Sequence, residues 1–169
     1  MRVGIGFDSH RFNGKRPLKI GGVTIPHGRG LAGHSDADVL LHALADALLG
    51  AIGAPDLGEL FPPGDPRYRK ADSRRFVEAA FRAVRRRGWR IGNVDATVIA
   101  DAPKLTGYKA TMARAISSML EIEAARVSVK AKTTEGFAPG KGGIAAQAVV
   151  LLERRRRPRA ATARKGRRT

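Results

Sequence analysis

The sequence predicts an α/β fold: a single-domain α+β sandwich with helices packed on one mixed sheet. Three observations carry that expectation. Short apolar or alternating segments, which suit strands, recur along the chain between segments of helical period. A length of 169 residues with 43% hydrophobic residues suits one core. No self-similarity appears at a period of about 20 to 50 residues, which excludes a repeat array. Aromatic residues make up only 5% of the chain, so the core must be mostly Ala, Val, Leu and Ile.

The elements follow in order. Residues 2–7 (RVGIGF) read as a short buried strand. Residues 17–26 (PLKIGGVTIP) read as a hairpin broken at Gly21 and Gly22. Residues 27–36 are a Gly-rich polar loop, and Ser35 or Asp36 can cap the helix after it. That helix spans 37–52, with Leu40, Leu41, Leu44, Leu48 and Leu49 on its buried side. Residues 53–71 hold four of the nine prolines and three glycines. They read as a long loop of the kind that often carries function. Asp72 or Ser73 caps a second helix to residue 87, with Phe76, Ala80, Ala83 and Val84 inward and Gly88 as its stop. A strand at 91–100, a turn at 101–107 and a third helix at 108–120 come next. Residues 126–132 alternate as a strand, 133–143 form a second Gly-rich loop, and 144–153 make the last strand. The sum is roughly five strands and three helices.

Composition narrows the chemistry. The chain has no cysteine, so disulfides and thiolate metal sites are excluded and any metal must be held by His, Asp or Glu. That composition fits a cytoplasmic protein. No apolar run reaches the ~18 to 20 residues that span a bilayer, and the N-terminus enters a strand pattern without a leader segment. The net charge is +17, but residues 154–169 alone hold eight Arg, one Lys and no acid. That tail has no apolar period and reads as disordered. A solvated polycation accounts for it, with a nucleic-acid contact as the alternative; neither is the expected function, and no membrane partner is expected.

Two constellations carry chemistry. In extended chain, residues i and i+2 point the same way, so Asp8 and His10, just past the first strand, can converge on one point. A carboxylate and an imidazole suit zinc or a similar divalent metal. His42, mid-helix, is the best candidate for a third ligand, which would leave one coordination position open. Asp46, one turn further on, can accept the other ring N–H of His42 and fix its tautomer. The plainer alternative is a helix histidine satisfied by Asp38 or Asp46, with His27 and His34 as ordinary loop residues. In the second constellation, Thr133, Thr134 and Glu135 precede glycines at 136, 140, 142 and 143, with Lys141 among them. Glycines let backbone N–H groups approach an anion, and Glu135 can hold a magnesium ion bridging phosphate oxygens. A plain hairpin turn is the alternative.

The runs GFDSHRF at 6–12, HSDADVLLHALADALLGA at 34–51, DLGELFP at 56–62, ADSR at 71–74, GNVDATVIADAPKL at 92–105 and KAKTTEGF at 130–137 together resemble the 2-C-methyl-D-erythritol 2,4-cyclodiphosphate synthase family. The likeness covers residues 1 to about 153, and the tail lies outside it. It implies a lyase that converts 4-diphosphocytidyl-2-C-methyl-D-erythritol 2-phosphate to the cyclic diphosphate and CMP, in non-mevalonate isoprenoid biosynthesis. It also implies a homotrimer around a central cavity, with active sites between subunits.

Carried onto this chain, the resemblance implies zinc on Asp8, His10 and His42, one per subunit, and Mg2+ or Mn2+ on Glu135. His34 and Ser35 match the segment over the β-phosphate. Asp56, Leu57 and Gly58 match the methylerythritol turn, and Phe61 and Asp65 a substrate loop. Ala100, Pro103, Lys104, Leu105 and Thr106 match the cytidine pocket, with Phe137 serving it. Lys132, Thr133, Thr134 and Glu135 match the diphosphate segment, with Lys141 in place of a phosphate-binding Arg. His34 and Thr133 resemble the family's transition-state stabilisers. Departures are Ala37, where Gly is usual and Ala is tolerated unless φ is positive; Pro63 and Gly64, where an Asp-Thr pair is common; Lys132, where Thr is usual; and a loop after Glu135 about two residues short.

Overall fold

A computed structural model describes residues 1–13, 15–136 and 142–155. Strand β1 (Arg2–Arg11) is followed by a hairpin of β2 (Leu18–Ile20) and β3 (Val23–Ile25), then helix α1 (Val39–Ala51) and a one-turn helix α2 (Leu57–Leu60). Helix α3 (Arg74–Arg86), strand β4 (Trp89–Ile99), helix α4 (Lys109–Met119), strand β5 (Val127–Lys132) and strand β6 (Gly143–Arg154) complete the chain. The main sheet has the order β1-β6-β4-β5. Only β4 and β5 run parallel; the other neighbours are antiparallel. The sheet is therefore mixed, as expected, and all three long helices pack on one of its faces.

Helix α1 is the centre of the core. All its residues except Asp46 and Gly50 are buried, because it lies between the sheet and α3. Strand β1 meets it through Gly4 and Gly6. A Cβ on either glycine would stand 2.0 Å from a helix carbonyl, Ala47 O or Ala43 O. That contact requires glycine: the chains touch backbone to backbone. The hairpin turns on Gly21 and Gly22, both at positive φ, which suits a two-residue turn between antiparallel strands.

Several boundaries differ from the expected ones, each for a physical reason. Strand β1 does not end at residue 7 but continues through Asp8 and His10, because β6 pairs with it along its whole length, Asp8 opposite Ala146 and His10 opposite Ile144. The cap of α1 is neither Ser35 nor Asp36 but Asp38. The Asp38 carboxylate accepts from Leu41 N at 3.0 Å and also from Gly21 N and Gly22 N at 2.8 and 2.6 Å, so one side chain ties the hairpin to the helix. The loop 53–71 is not irregular throughout. Asp56 caps α2 and Asp65 caps a 3-10 turn at Pro66–Tyr68. Ala37 does take a positive φ, 61°, the case in which the departure from Gly matters. A left-handed backbone costs a residue with a side chain about 1 kcal/mol or more.

Among the described residues, no helix covers the other face of the sheet. Val3, Ile5 and Phe7 of β1 are 65%, 61% and 59% exposed, and Val149 of β6 stands beside Ile5. Among the described residues, no helix is long and apolar enough to cross a membrane.

Candidate metal centre and phosphate site

Asp8 and His10 project from β1 toward His42 on α1. Asp8 Oδ2 lies 3.0 Å from His10 Nε2 and 2.9 Å from His42 Nδ1, and the two ring nitrogens are 3.1 Å apart. Among the described residues, these three form the one group of donors able to hold a metal. A tetrahedral zinc at about 2.0 to 2.1 Å sets its donors roughly 3.3 Å apart, so the three atoms are nearly in place. Two imidazole nitrogens and a carboxylate oxygen facing one point are held there either by ring protons shared with Asp8 or by a cation between them. The donor set therefore fits a divalent metal. Burial alone would raise the Asp8 carboxyl, but hydrogen bonds from His10 and His42 outweigh it and hold Asp8 well below the usual carboxylate range.

The far side of His42 corrects one expectation. Its Nε2 does not meet Asp46. It lies 2.9 Å from Ser73 Oγ and 3.1 Å from Ser35 Oγ. Ser73 Oγ in turn donates to Asp36 Oδ1 at 2.5 Å. With Nε2–H donating to Ser73, the Nδ1 lone pair is left for a metal; this tautomer is assigned from the partners. Asp46 instead accepts from Leu57 N at 2.7 Å and anchors α2. Its carboxyl is raised, first by burial and then by the charges of Asp56 and Asp8. A helix offers Asp46 at i+4, but Ser73 comes from a different helix, and no local period signals it.

Ser73→Ala should therefore weaken divalent-metal affinity by roughly 10- to 100-fold, read by competition with a chromophoric chelator. A thermal midpoint that falls while metal affinity holds would leave Ser73 a packing role only.

A cavity of about 260 Å³ opens beside the three donors. His34, Ser35, Leu57, Gly58 and Phe61 line it, as does Asp46. Pro63 lines it too, in spite of the departure there. Tyr68 and Phe76 complete an aromatic wall with Phe61, at ring distances of 4.8 to 6.0 Å. Sequence reasoning missed Tyr68; Phe76 is buried in the core, as expected, and also lines the cavity. Asp56 and Asp65 do not line this cavity: Asp56 caps Glu59 N at 2.8 Å, and Asp65 pairs with Arg67 at 2.6 Å.

The second constellation assembles at the other edge of the sheet. Ala100 N donates to Lys132 O at 2.9 Å. Thr134 donates through its backbone and its hydroxyl to Asp101, both at 2.8 Å, and these bonds lower the Asp101 carboxyl. The segment 100–106 is thus tied to 132–135 by the parallel pairing of β4 and β5. Ala100 and Leu105 are buried, while Lys104, Thr106 and Thr133 are exposed and Pro103 is half-buried. Thr133 Oγ1 donates to Glu135, and Glu135 is not part of the Asp8–His10–His42 group. Phe137, Lys141 and residues 156–169 of the tail lie outside the described residues.

The family model described as the YgbB family matches residues 1–153. The chain belongs to the YgbB family. Among curated members, 2-C-methyl-D-erythritol 2,4-cyclodiphosphate synthase of Shouchella clausii is 53% identical over 156 residues, 91% of this chain and 98% of that protein. A solved structure of 2C-methyl-D-erythritol-2,4-cyclodiphosphate synthase in a CDP-bound form is 40% identical at a TM-score of 0.83, covering 90% of this chain and all of that one. The bifunctional IspDF of Campylobacter jejuni is 42% identical at a TM-score of 0.86 over 90% of this chain, and this chain spans 42% of its length.

The pairing register shows how a YgbB chain arranges its two constellations. Asp8 lies opposite Ala146, Ala146 opposite Val98, and Val98 opposite Ala131. Asp8 and the residue before Lys132 thus occupy one row across the sheet, on opposite edges. Three strand spacings of about 4.8 Å separate them by roughly 14 Å.

Proposed function

We propose that this chain is a 2-C-methyl-D-erythritol 2,4-cyclodiphosphate synthase. It converts 4-diphosphocytidyl-2-C-methyl-D-erythritol 2-phosphate to the cyclic diphosphate and CMP. An oxygen of the 2-phosphate bonds to the β-phosphorus, and the bond from that phosphorus to the oxygen bridging to the α-phosphate breaks. The electron pair leaves with CMP. The observation that carries this reading is the convergence of Asp8, His10 and His42 beside a cavity, in a chain 53% identical to a protein of that name.

Both reacting phosphates belong to one substrate, so the attack is intramolecular and much of the acceleration can come from holding the two in line. Residues 34 and 35 cover the β-phosphate, with His34 presenting a donor at the cavity and Thr133 presenting its hydroxyl from the other constellation. Leu57 and Gly58 take the methylerythritol carbons against the aromatic wall. Asp56 and Asp65 fix the turns on either side of that wall. Ala100 to Thr106, with Lys132 and Thr134, take the cytidine and its α-phosphate. The proposed metals are zinc on Asp8, His10 and His42, and Mg2+ or Mn2+ on Glu135. Bound there, they supply charge neutralisation for phosphates brought together.

The separation of roughly 14 Å within one chain supports a site completed by another copy, with one chain's metal edge facing its neighbour's β4–β5 edge. A homotrimer with the bare apolar sheet faces turned to a common centre meets that requirement and covers Val3, Ile5 and Phe7. Ile5→Glu should then give mostly monomer in sedimentation velocity and lose activity in step. A fully active trimer of that variant would contradict the arrangement. The reading places the enzyme in the cytoplasm.

The activity itself is tested by incubating metal-loaded protein with the named substrate and following CMP by chromatography. CMP release that needs Mg2+ or Mn2+ is expected; no release from protein carrying one zinc per chain would overturn the reading.

A further inference from the structure

The synthase reaction leaves most of the positive charge without a role. Helix α3 and the residue after it carry six arginines, at 74, 75, 82, 85, 86 and 87, against one acid, Glu78. Two adjoining cavities, of about 330 and 530 Å³, run along the α3 side facing α4 and share Phe81, Arg85 and Glu121. Arg90, Arg126 and Arg155 rim the first; Arg74, Arg82 and Arg86 rim the second. Three acids also line them: Glu78, Glu121 and Glu123. Glu121 is taken by Arg85 at 2.5 Å, and Glu78 faces Arg82 at 4.0 Å. Among the described residues, no carboxylate lies within 4.0 Å of the guanidinium of Arg74, Arg86, Arg126 or Arg155.

This groove is far from the metal centre. It opens at Trp89, the start of β4, nine residues before Val98 in the Asp8 row, or about 30 Å along the strand. The basic tail begins beside it. Arg155 N donates to Gly88 O at 3.0 Å, and the 14 residues that follow hold six Arg, one Lys and no acid.

We infer that this groove binds the sugar–phosphate backbone of single-stranded nucleic acid. Its cations are all arginines, whose planar guanidinium pairs with phosphate through two hydrogen bonds and stacks on flat rings. A concavity between α3 and the segment 118–126 admits a strand more readily than the broad convex face of a duplex. Charge complementarity also suits an anionic bilayer, but the large exposed apolar side chains, Val3, Ile5, Phe7 and Leu60 among them, line neither cavity. The groove therefore lacks the apolar anchor that a membrane surface rewards.

The test uses the full chain and a fluorescein-labelled 20-nucleotide poly(U) RNA, with anisotropy read across a salt series. Neutralising four to five phosphates predicts a log–log salt slope near −3 and about a 60-fold loss of affinity between 50 and 200 mM salt. Arg82→Gln with Arg86→Gln should reduce the slope by about 1.4 and weaken binding about 20-fold at 0.1 M salt, with CMP release unchanged. Arg156→Gln, Arg157→Gln and Arg159→Gln together should weaken binding yet preserve that response to Arg82 and Arg86. Three results would overturn the inference: no RNA binding at 50 mM salt; binding lost with the tail changes and indifferent to Arg82 and Arg86; or capture by phosphatidylserine vesicles at lower concentration than by RNA.

Discussion

Replacing His42 by Ala is expected to strip the chain of the zinc proposed for it and to cut CMP release by roughly a thousandfold or more, about 4 kcal/mol of lost transition-state stabilisation. His42 is the hub of the site. On one side its Nδ1 closes the trio with Asp8 and His10 at 2.9 and 3.1 Å. On the other, Nε2 meets two buried hydroxyls, Ser35 and Ser73. The substitution removes a donor and leaves two donors that hold a divalent ion far more weakly. It also leaves the two serines without their partner, so some loss of stability is expected, on the order of 1 to 3 kcal/mol. The measurement is zinc content per chain beside turnover. Zinc at one equivalent in folded His42→Ala protein would remove His42 from the site.

Gly6→Ala tests the same site through the fold. The added Cβ would meet Ala43 O at 2.0 Å and Ala47 N at 2.7 Å, both helix backbone that cannot swing aside. Strand β1 and helix α1 must part by an ångström or more, and the core loses contacts along the whole interface. A destabilisation of about 3 kcal/mol is expected, or roughly 6 to 12 °C in Tm for a chain of this size. Asp8 and His10 ride on that strand and His42 on that helix, so zinc affinity should fall together with stability. Gly64→Ala, where an added Cβ meets nothing within 4 Å, should change Tm by little. Equal Tm values for the two variants would show that the backbone contact is not the constraint described.

Much of this was legible in the sequence because it is local. The alternation of strand and helix, the Gly21–Gly22 turn, the stop at Gly88 and the shared direction of Asp8 and His10 depend on neighbours within a few residues. His42 was reachable because Asp and His are the only metal ligands a cysteine-free chain of this pattern offers there. What escaped was set by long-range packing. Strand β1 runs past residue 7 only because β6 covers it. Asp38, not Ser35 or Asp36, caps α1 because the hairpin brings two more N–H groups to the same carboxylate. Ser73 displaced Asp46 as the partner of His42 because α3 packs across α1 and delivers a hydroxyl closer than the i+4 carboxylate. The two constellations are separated by a strand order that no single segment encodes. Ala37 shows a further limit: its positive φ follows from the loop 34–38 bonding to 70–73, where Lys70 N meets His34 O at 2.7 Å and Asp36 N meets Ala71 O at 2.9 Å.

The proposed reaction closes a ring between two phosphates of one substrate. Phosphorus NMR of the reaction mixture, with zinc-loaded protein and Mg2+ or Mn2+, tests it most directly. The substrate's three resonances should disappear, with two coupled resonances of a cyclic diphosphate and one of CMP growing in equal amounts. Inorganic phosphate, or an open-chain methylerythritol phosphate beside CMP, would mean that water attacks instead, and would contradict it.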